Sequence, residues 1–376
     1  GLHDSVAVTV RPGAPARLHV AGPRDTAAYV GAQLPALTVD SLTDRWGNAT
    51  SAPVTWASRR PDVAALSVGA GAARVQPLAA GRVWVVASAA GASAPGATDS
   101  VALSVVPHGE LAARSAVDAA SGFDGSLYRF GLDGSGYRRA AAASGNTTGV
   151  RWTPAGDRFV LHQNAPGSMT DQALYFVDTS GTRSSFATAA AGSSLLQAEP
   201  LANGGGVAAV LSNYYNSEIW QVSWSGQLVG RLGPAAGAYD RDLQPAVSAD
   251  GQLIAIYSNR GHVAGTGSTL QLYEVAAARL TDLGIDAVHP RWSPDGQELA
   301  YVYNGLEVRD RATGARRHLS TLPVGGLALD WSPDGVWVVA CVQGALALVH
   351  HTTGEVLPLA FTGRGGFCEM SWRPGS

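Results

Sequence analysis

Two identical pentapeptides, Trp292-Ser293-Pro294-Asp295-Gly296 and Trp331-Ser332-Pro333-Asp334-Gly335, lie 39 residues apart. Degraded copies precede them at Trp152-Thr153-Pro154-Ala155-Gly156 and Val247-Ser248-Ala249-Asp250-Gly251. A fainter copy is Ala202-Asn203-Gly204-Gly205-Gly206, aligned by matching Glu199-Pro200 to Gln244-Pro245 and His289-Pro290. A truncated one closes the chain at Trp372-Arg373-Pro374-Gly375. First residues are then separated by 50, 45, 45, 39 and 41 positions. A period near 40–45 residues is the length of one four-stranded propeller blade, and such self-similarity fixes the architecture before any other pattern is read.

Each unit supports that reading locally. An apolar strand runs into the tryptophan, proline presets φ for a tight turn, and glycine accepts the positive φ that ends it. Second strands follow, such as Glu298–Tyr303 and Val336–Cys341, then third strands, such as Leu306–Asp310 and Leu346–His350. The copies resemble the TolB-type propeller repeat, also seen in the propellers of prolyl oligopeptidase relatives. Counting the copies gives six blades over residues 108–376 if the two ends combine. The segment from 111 to 142 has strands but no preceding tryptophan motif, whereas Phe367–Trp372 has a motif and nothing after it. Joining the two predicts a ring closed by the C-terminal strand, which removes exposed sheet edges.

Residues 1–107 follow a different rule. Short period-two runs (Val6, Val8 and Val10; Leu18 and Val20; Leu37 and Val39; Val83, Val85 and Ala87; Val101, Leu103 and Val105) alternate with turns such as Asp44-Arg45-Trp46-Gly47-Asn48. This pattern predicts a β-sandwich. Trp56-Ala57-Ser58-Arg59-Arg60-Pro61-Asp62-Val63-Ala64 resembles the core of the bacterial immunoglobulin-like domains of invasin- and intimin-type surface proteins. Trp56 is expected to fill core. Asp4–Val10 nearly repeats as Asp99–Val105, which suggests a modular origin. The expected fold is all-β: an Ig-like sandwich followed by a six-bladed propeller.

Composition narrows the chemistry. All 26 basic residues are arginine, so mechanisms that need a lysine amine are excluded, including P-loop, Schiff-base and pyridoxal-phosphate chemistry. Two cysteines cannot build a four-cysteine zinc site. A net charge of −3 argues against a nucleic-acid surface. No Gly-x-Ser-x-Gly elbow, His-Glu-x-x-His or dinucleotide fingerprint is present. No cofactor is expected. No stretch approaches the roughly 18–20 apolar residues of a membrane-spanning helix. The opening at Gly1 without methionine fits a processed, exported chain, and a lipid anchor ahead of Gly1 fits the same route.

Three groups of residues are candidates. Glu199, Gln244, His289 and Glu369 each stand three positions before a motif copy and are predicted to converge at the channel mouth. There they would suit a divalent metal or polar ligand, or merely solvate the channel wall. Asn213, Tyr214, Tyr215 and Asn216, with Tyr239, Asp240, Arg241 and Asp242, form two neighbouring loops of a type used in protein recognition. Cys341 and Cys368 either form a disulfide pinning the ring or remain two buried thiols. The adjacent His350 and His351 are expected to point to opposite strand faces and not to chelate together.

These features predict a non-catalytic, periplasmic or extracellular protein that docks on a protein partner, such as a subunit of an envelope membrane complex. The alternatives are a metal-assisted lyase or hydrolase at the channel mouth, tested by His289, and a carbohydrate-binding adhesin using the loop tyrosines.

Overall fold

The computed structural model describes residues 11–91, 97–115, 126–142, 148–164, 172–213, 215–262, 267–320, 324–342, 345–359 and 367–375. The run Val6, Val8 and Val10, the first copy of the Asp4–Val10 repeat, and Tyr214 lie outside them. The chain divides into two compact units, Gly1–His108 and Gly109–Ser376. No helix among the described residues is long and apolar enough to cross a membrane.

In the first unit, strands Asp25–Tyr29, Thr98–Val106, Gly81–Ala89 and Val54–Ser58 form one sheet in that order, the first pair parallel. Facing it are two strand pairs, Arg17–Val20 with Val39–Thr43 and Ala64–Gly69 with Ala72–Pro77, joined by a bridge between Leu37 and Ala73. Alternation dictates the layering: Val83, Val85 and Ala87 face inward while Trp84 faces out. Trp56 packs against both apolar clusters of this unit and donates its indole N–H to Gly71 O at 3.3 Å, a core role. The Asp44 turn is held by the Asp44 carboxylate. It accepts the backbone N–H groups of Gly13, Trp46 and Asn48 and the Asn48 side chain, which keeps the carboxyl well below the usual carboxylate range.

The second unit is six four-stranded antiparallel sheets. The inner strands are Phe367–Trp372 in blade one, then Thr148–Trp152, Ser193–Pro200, Asp242–Val247, Val288–Trp292 and Val324–Trp331 in blades two to six. Each contacts the next and the last contacts the first, so the ring is closed. Blade one is completed from both ends of the unit. Phe367–Trp372 pairs antiparallel with Glu110–Ser115, Trp372 opposite Leu111. Arg373 reinforces the seam, donating its backbone N–H to Glu110 O and its side chain to the Glu110 carboxylate and Gly156 O.

The motif residues explain the turn. In blades four, five and six the serine hydroxyl donates to the aspartate (Ser248–Asp250, Ser293–Asp295, Ser332–Asp334) while accepting the N–H of the next strand's first residue. Blade two has alanine at the aspartate position, and Asp157 takes over by accepting from Thr153 Oγ1 at 2.7 Å. The tryptophans staple neighbouring blades: the indoles of Trp292 and Trp331 donate to Ala246 O and Arg291 O of the preceding blade.

One register differs from expectation. In blade three the turn bonds are Leu201 N to Gly206 O and Gly204 N to Leu201 O, matching Ser293 N to Glu298 O and Gly296 N to Ser293 O in blade five. Pro200, not Ala202, therefore occupies the tryptophan position, and the steps become 48, 47, 45, 39 and 41 residues. Glycine at the fourth turn position carries positive φ in every full copy, and here that residue is Gly204. Three successive glycines, 204–206, concealed which one makes the turn.

Candidate functional site

The inner strands are not regular ladders. Blades two to five each carry a bulge, and its first residue has left-handed backbone: Gly149 (φ 72), Gln197 (φ 48), Gln244 (φ 53) and His289 (φ 56). A bulge turns a side chain out of the ladder and re-aims it, here across the gap to the neighbouring blade. The Gln197 side-chain oxygen accepts the Gln244 N–H at 2.7 Å, and the Gln244 oxygen accepts the His289 N–H at 2.7 Å. Glu369 of blade one accepts the Gly149 N–H at 2.6 Å. Gly149 has no side chain to continue the series, so His162 Nδ1 accepts the Gln197 N–H instead, at 3.2 Å. At all four left-handed positions the backbone N–H is thus held by a side chain of the neighbouring blade.

Gln244, His289 and Glu369 do line one cavity of about 180 Å³. Glu199 does not stand with them. The register correction moves it two residues along the strand, level with Arg151, Arg291 and Asp330, and Gln197 takes the equivalent place. Glu199 pairs with Arg151 at 2.9 Å and approaches Arg291 at 3.7 Å. Arg151 also donates to Val150 O and Met370 O, tying blade two to blade one. This charged row floors the cavity. Beyond it, toward the motif turns, opens a second cavity of about 350 Å³ walled by Trp152, Trp292, Trp331 and Trp372.

Burial governs the titration of these groups. It raises Glu199 to about 7 despite the Arg151 pairing. Burial also raises Asp330, whose oxygen accepts the Trp372 N–H at 2.8 Å, and Glu369, which has Arg114 at 3.8 Å. Burial, helped by nearby arginines, pushes His162 down to about 3 and His289 down to about 4, so both imidazoles are neutral at pH 7. Among the described residues no group of three His, Cys, Asp or Glu side chains could hold a metal ion. Guanidinium groups of Arg151 and Arg291 stand among these side chains and repel a divalent cation, which disfavours the metal alternative of the channel-mouth group.

The recognition loops divide into display and support. Tyr215 (59% exposed) and Tyr239 (64% exposed) meet edge to face with ring centres 6.3 Å apart, and Asn213 and Arg241 are exposed beside them. Asn213 Oδ1 accepts the N–H groups of Tyr215 and Asn216, closing that turn. Asp240 and Asp242 serve as support: Arg260 donates to both, with Nη2 2.8 Å from Asp242, and also to Pro234 O and Ala235 O. Tyr239 has left-handed backbone (φ 68), held by Asn259, which donates to Tyr239 O and accepts the Arg241 N–H. Arg260 and Asn259 carried no motif and escaped the sequence reading; a long arginine-bearing loop beside two aspartates was the available signal.

Cys341 is buried. The Cys368 side chain lies outside the described residues, and so does the choice between a disulfide and two buried thiols. His350 and His351 do not point to opposite faces: the strand ends at His350, His351 enters the turn, and the rings stack at 5.6 Å. Both His351 nitrogens are engaged, with Glu298 at 2.8 Å and Thr352 at 2.9 Å.

No protein-family model matches the chain, and no curated protein is similar to it in sequence. Among solved structures, TolB from Acinetobacter baumannii aligns with a TM-score of 0.54 at 17% identity, covering 85% of this chain and 83% of its own. A putative TolB from Agrobacterium tumefaciens aligns with a TM-score of 0.51 at 14% identity, covering 69% and 91%. A Mycobacterium tuberculosis puromycin-hydrolyzing peptidase reaches 0.45 at 17% identity, covering 85% of this chain and 57% of that one. The TolB likenesses are of fold: this chain contains a TolB-like β-propeller.

Proposed function

We propose that the chain is a non-catalytic docking protein of the bacterial envelope, exported to the periplasm or cell surface, which binds a protein partner through the loop face of blades three and four. The observation that carries this reading is the Tyr215–Tyr239 pair, exposed on a backbone that Arg260, Asp240, Asp242 and Asn259 hold rigid. Rigid, amphipathic tyrosines on a preorganised loop bind at low entropic cost, and Arg241 beside them supplies a planar fork for a partner carboxylate. The TolB-type repeat and the shared propeller fold support the envelope setting, as does a first unit that resembles immunoglobulin-like modules of bacterial surface proteins. The residue ranges 1–107 and 108–376 are read as those two modules.

The test is affinity capture from native membranes with the tagged chain and with Tyr215→Ser/Tyr239→Ser. A defined partner recovered by the first and lost by the second supports the reading. Recovery of the same partner by both chains removes this face from the docking role.

A further inference from the structure

The cavity between the bulge residues and the charged row has an unbalanced hydrogen-bonding inventory. Gln197 and Gln244 each commit the side-chain oxygen to the next blade's N–H. That assignment leaves their NH2 groups as donors on the cavity wall, without partners among the described residues. His289 is 9% exposed, lines the cavity, and its ring has no hydrogen bond among the described residues. Arg291 Nε is buried and likewise unpartnered there. A buried donor without an acceptor is costly, as Arg291 Nε is, and the side chains of Gln197, Gln244 and His289 line the same space from three blades.

The charge is unbalanced in the same sense. Glu199 serves two guanidiniums, 2.9 Å from Arg151 and 3.7 Å from Arg291, and Glu369 is occupied by Gly149 N–H with Arg114 nearby. Asp330 and Glu199 both act on Arg151, whereas Arg291 stands 3.7 Å from Glu199, which leaves Arg291 the less neutralised of the two.

We infer that this cavity is a binding site for a small oxyanion, seated on Arg291 and the amide groups of Gln197 and Gln244. Its volume of about 180 Å³ has room for a phosphate or a short-chain carboxylate together with water. A planar guanidinium beside two carboxamides offers the donor geometry such an anion needs.

The full chain is titrated calorimetrically with inorganic phosphate and, separately, with lactate, ionic strength being held constant with sodium chloride. Saturable one-to-one binding of either probe is expected, and which of them binds identifies the anion as phosphate-like or carboxylate-like. Two near-isosteric variants give opposite signs. Gln244→Glu keeps the oxygen that accepts the His289 N–H but replaces the donor with negative charge, and should weaken binding about tenfold or more. Glu369→Gln keeps the acceptor for Gly149 N–H and removes a charge, and should strengthen binding. Unfolding midpoints without anion report whether each variant is folded, and Arg291→Gln provides an independent loss of binding. Absence of saturation by both probes, binding of calcium in their place, or equal anion affinity in all folded variants overturns the site.

Discussion

Gln244 accepts the backbone N–H of His289 at 2.7 Å while its own N–H is held at the same distance by Gln197. A side chain and a backbone group of one residue therefore connect three consecutive blades. Sheets of a propeller otherwise meet mainly through apolar faces, which tolerate sliding. These hydrogen bonds fix the angular position of each blade, because a bond lost in a buried site is expensive.

Gln244→Leu should destabilise the second unit by about 1–3 kcal/mol, since it orphans the His289 N–H. Denaturant unfolding followed by tryptophan fluorescence measures this. A change under ~0.5 kcal/mol would mean that these bonds do not hold blades together.

Gly149 is required twice over. A Cβ there would stand 2.7 Å from His162 Nδ1, and φ is +72°. Gly149→Ala should cost about 1–3 kcal/mol from strain and the displaced imidazole. In a His162→Ala background, which already lacks the bond to Gln197 N–H, Gly149→Ala should cost only the backbone part. If it costs as much there as in the parent, the clash is not the cause.

Removal of residues 365–376 deletes the innermost strand of blade one and leaves Glu110–Ser115 as an open edge. Buried Met370 and Trp372 go with it. The whole second unit should lose its cooperative transition in calorimetry. A melting temperature unchanged from the full chain would contradict closure by this strand.

Two buried groups give opposite pH dependences. Glu199, raised to about 7 from 4.5, binds a proton more tightly when folded. Its contribution is complete below about pH 4.5 and fades as pH rises through 7, so Glu199→Gln should gain on the parent between pH 5 and 8. His162, lowered to about 3 from 6.5, stays neutral when folded. Its contribution is complete above pH 6.5 and fades as pH falls toward 3, and His162→Gln should flatten that acid limb. Unfolding free energies across pH 3–8 test both, and parallel curves for parent and variants would show that neither group is perturbed.

The architecture was readable because a blade needs its turn, and the turn needs serine, proline, aspartate and glycine at fixed places. The ring closure followed from two incomplete blades that fit each other. The site was readable only in part. Gln244, His289 and Glu369 were found by counting back from the turns, and that counting failed in blade three, where Gly204, Gly205 and Gly206 compete for the same role. The bulges were invisible, since left-handed glutamine and histidine are imposed by the neighbouring blade rather than by local preference. Arg151 and Arg291 were passed over because a strand-bound arginine before a tryptophan looks like an ordinary surface residue until six strands converge.

The order of the strands in blade one also bears on how the protein is made. Its innermost strand is the last of the propeller to leave the ribosome, while the strand it pairs with is the first. Until that last strand is in place blade one keeps an open edge, so nothing shorter than the whole propeller can latch the ring.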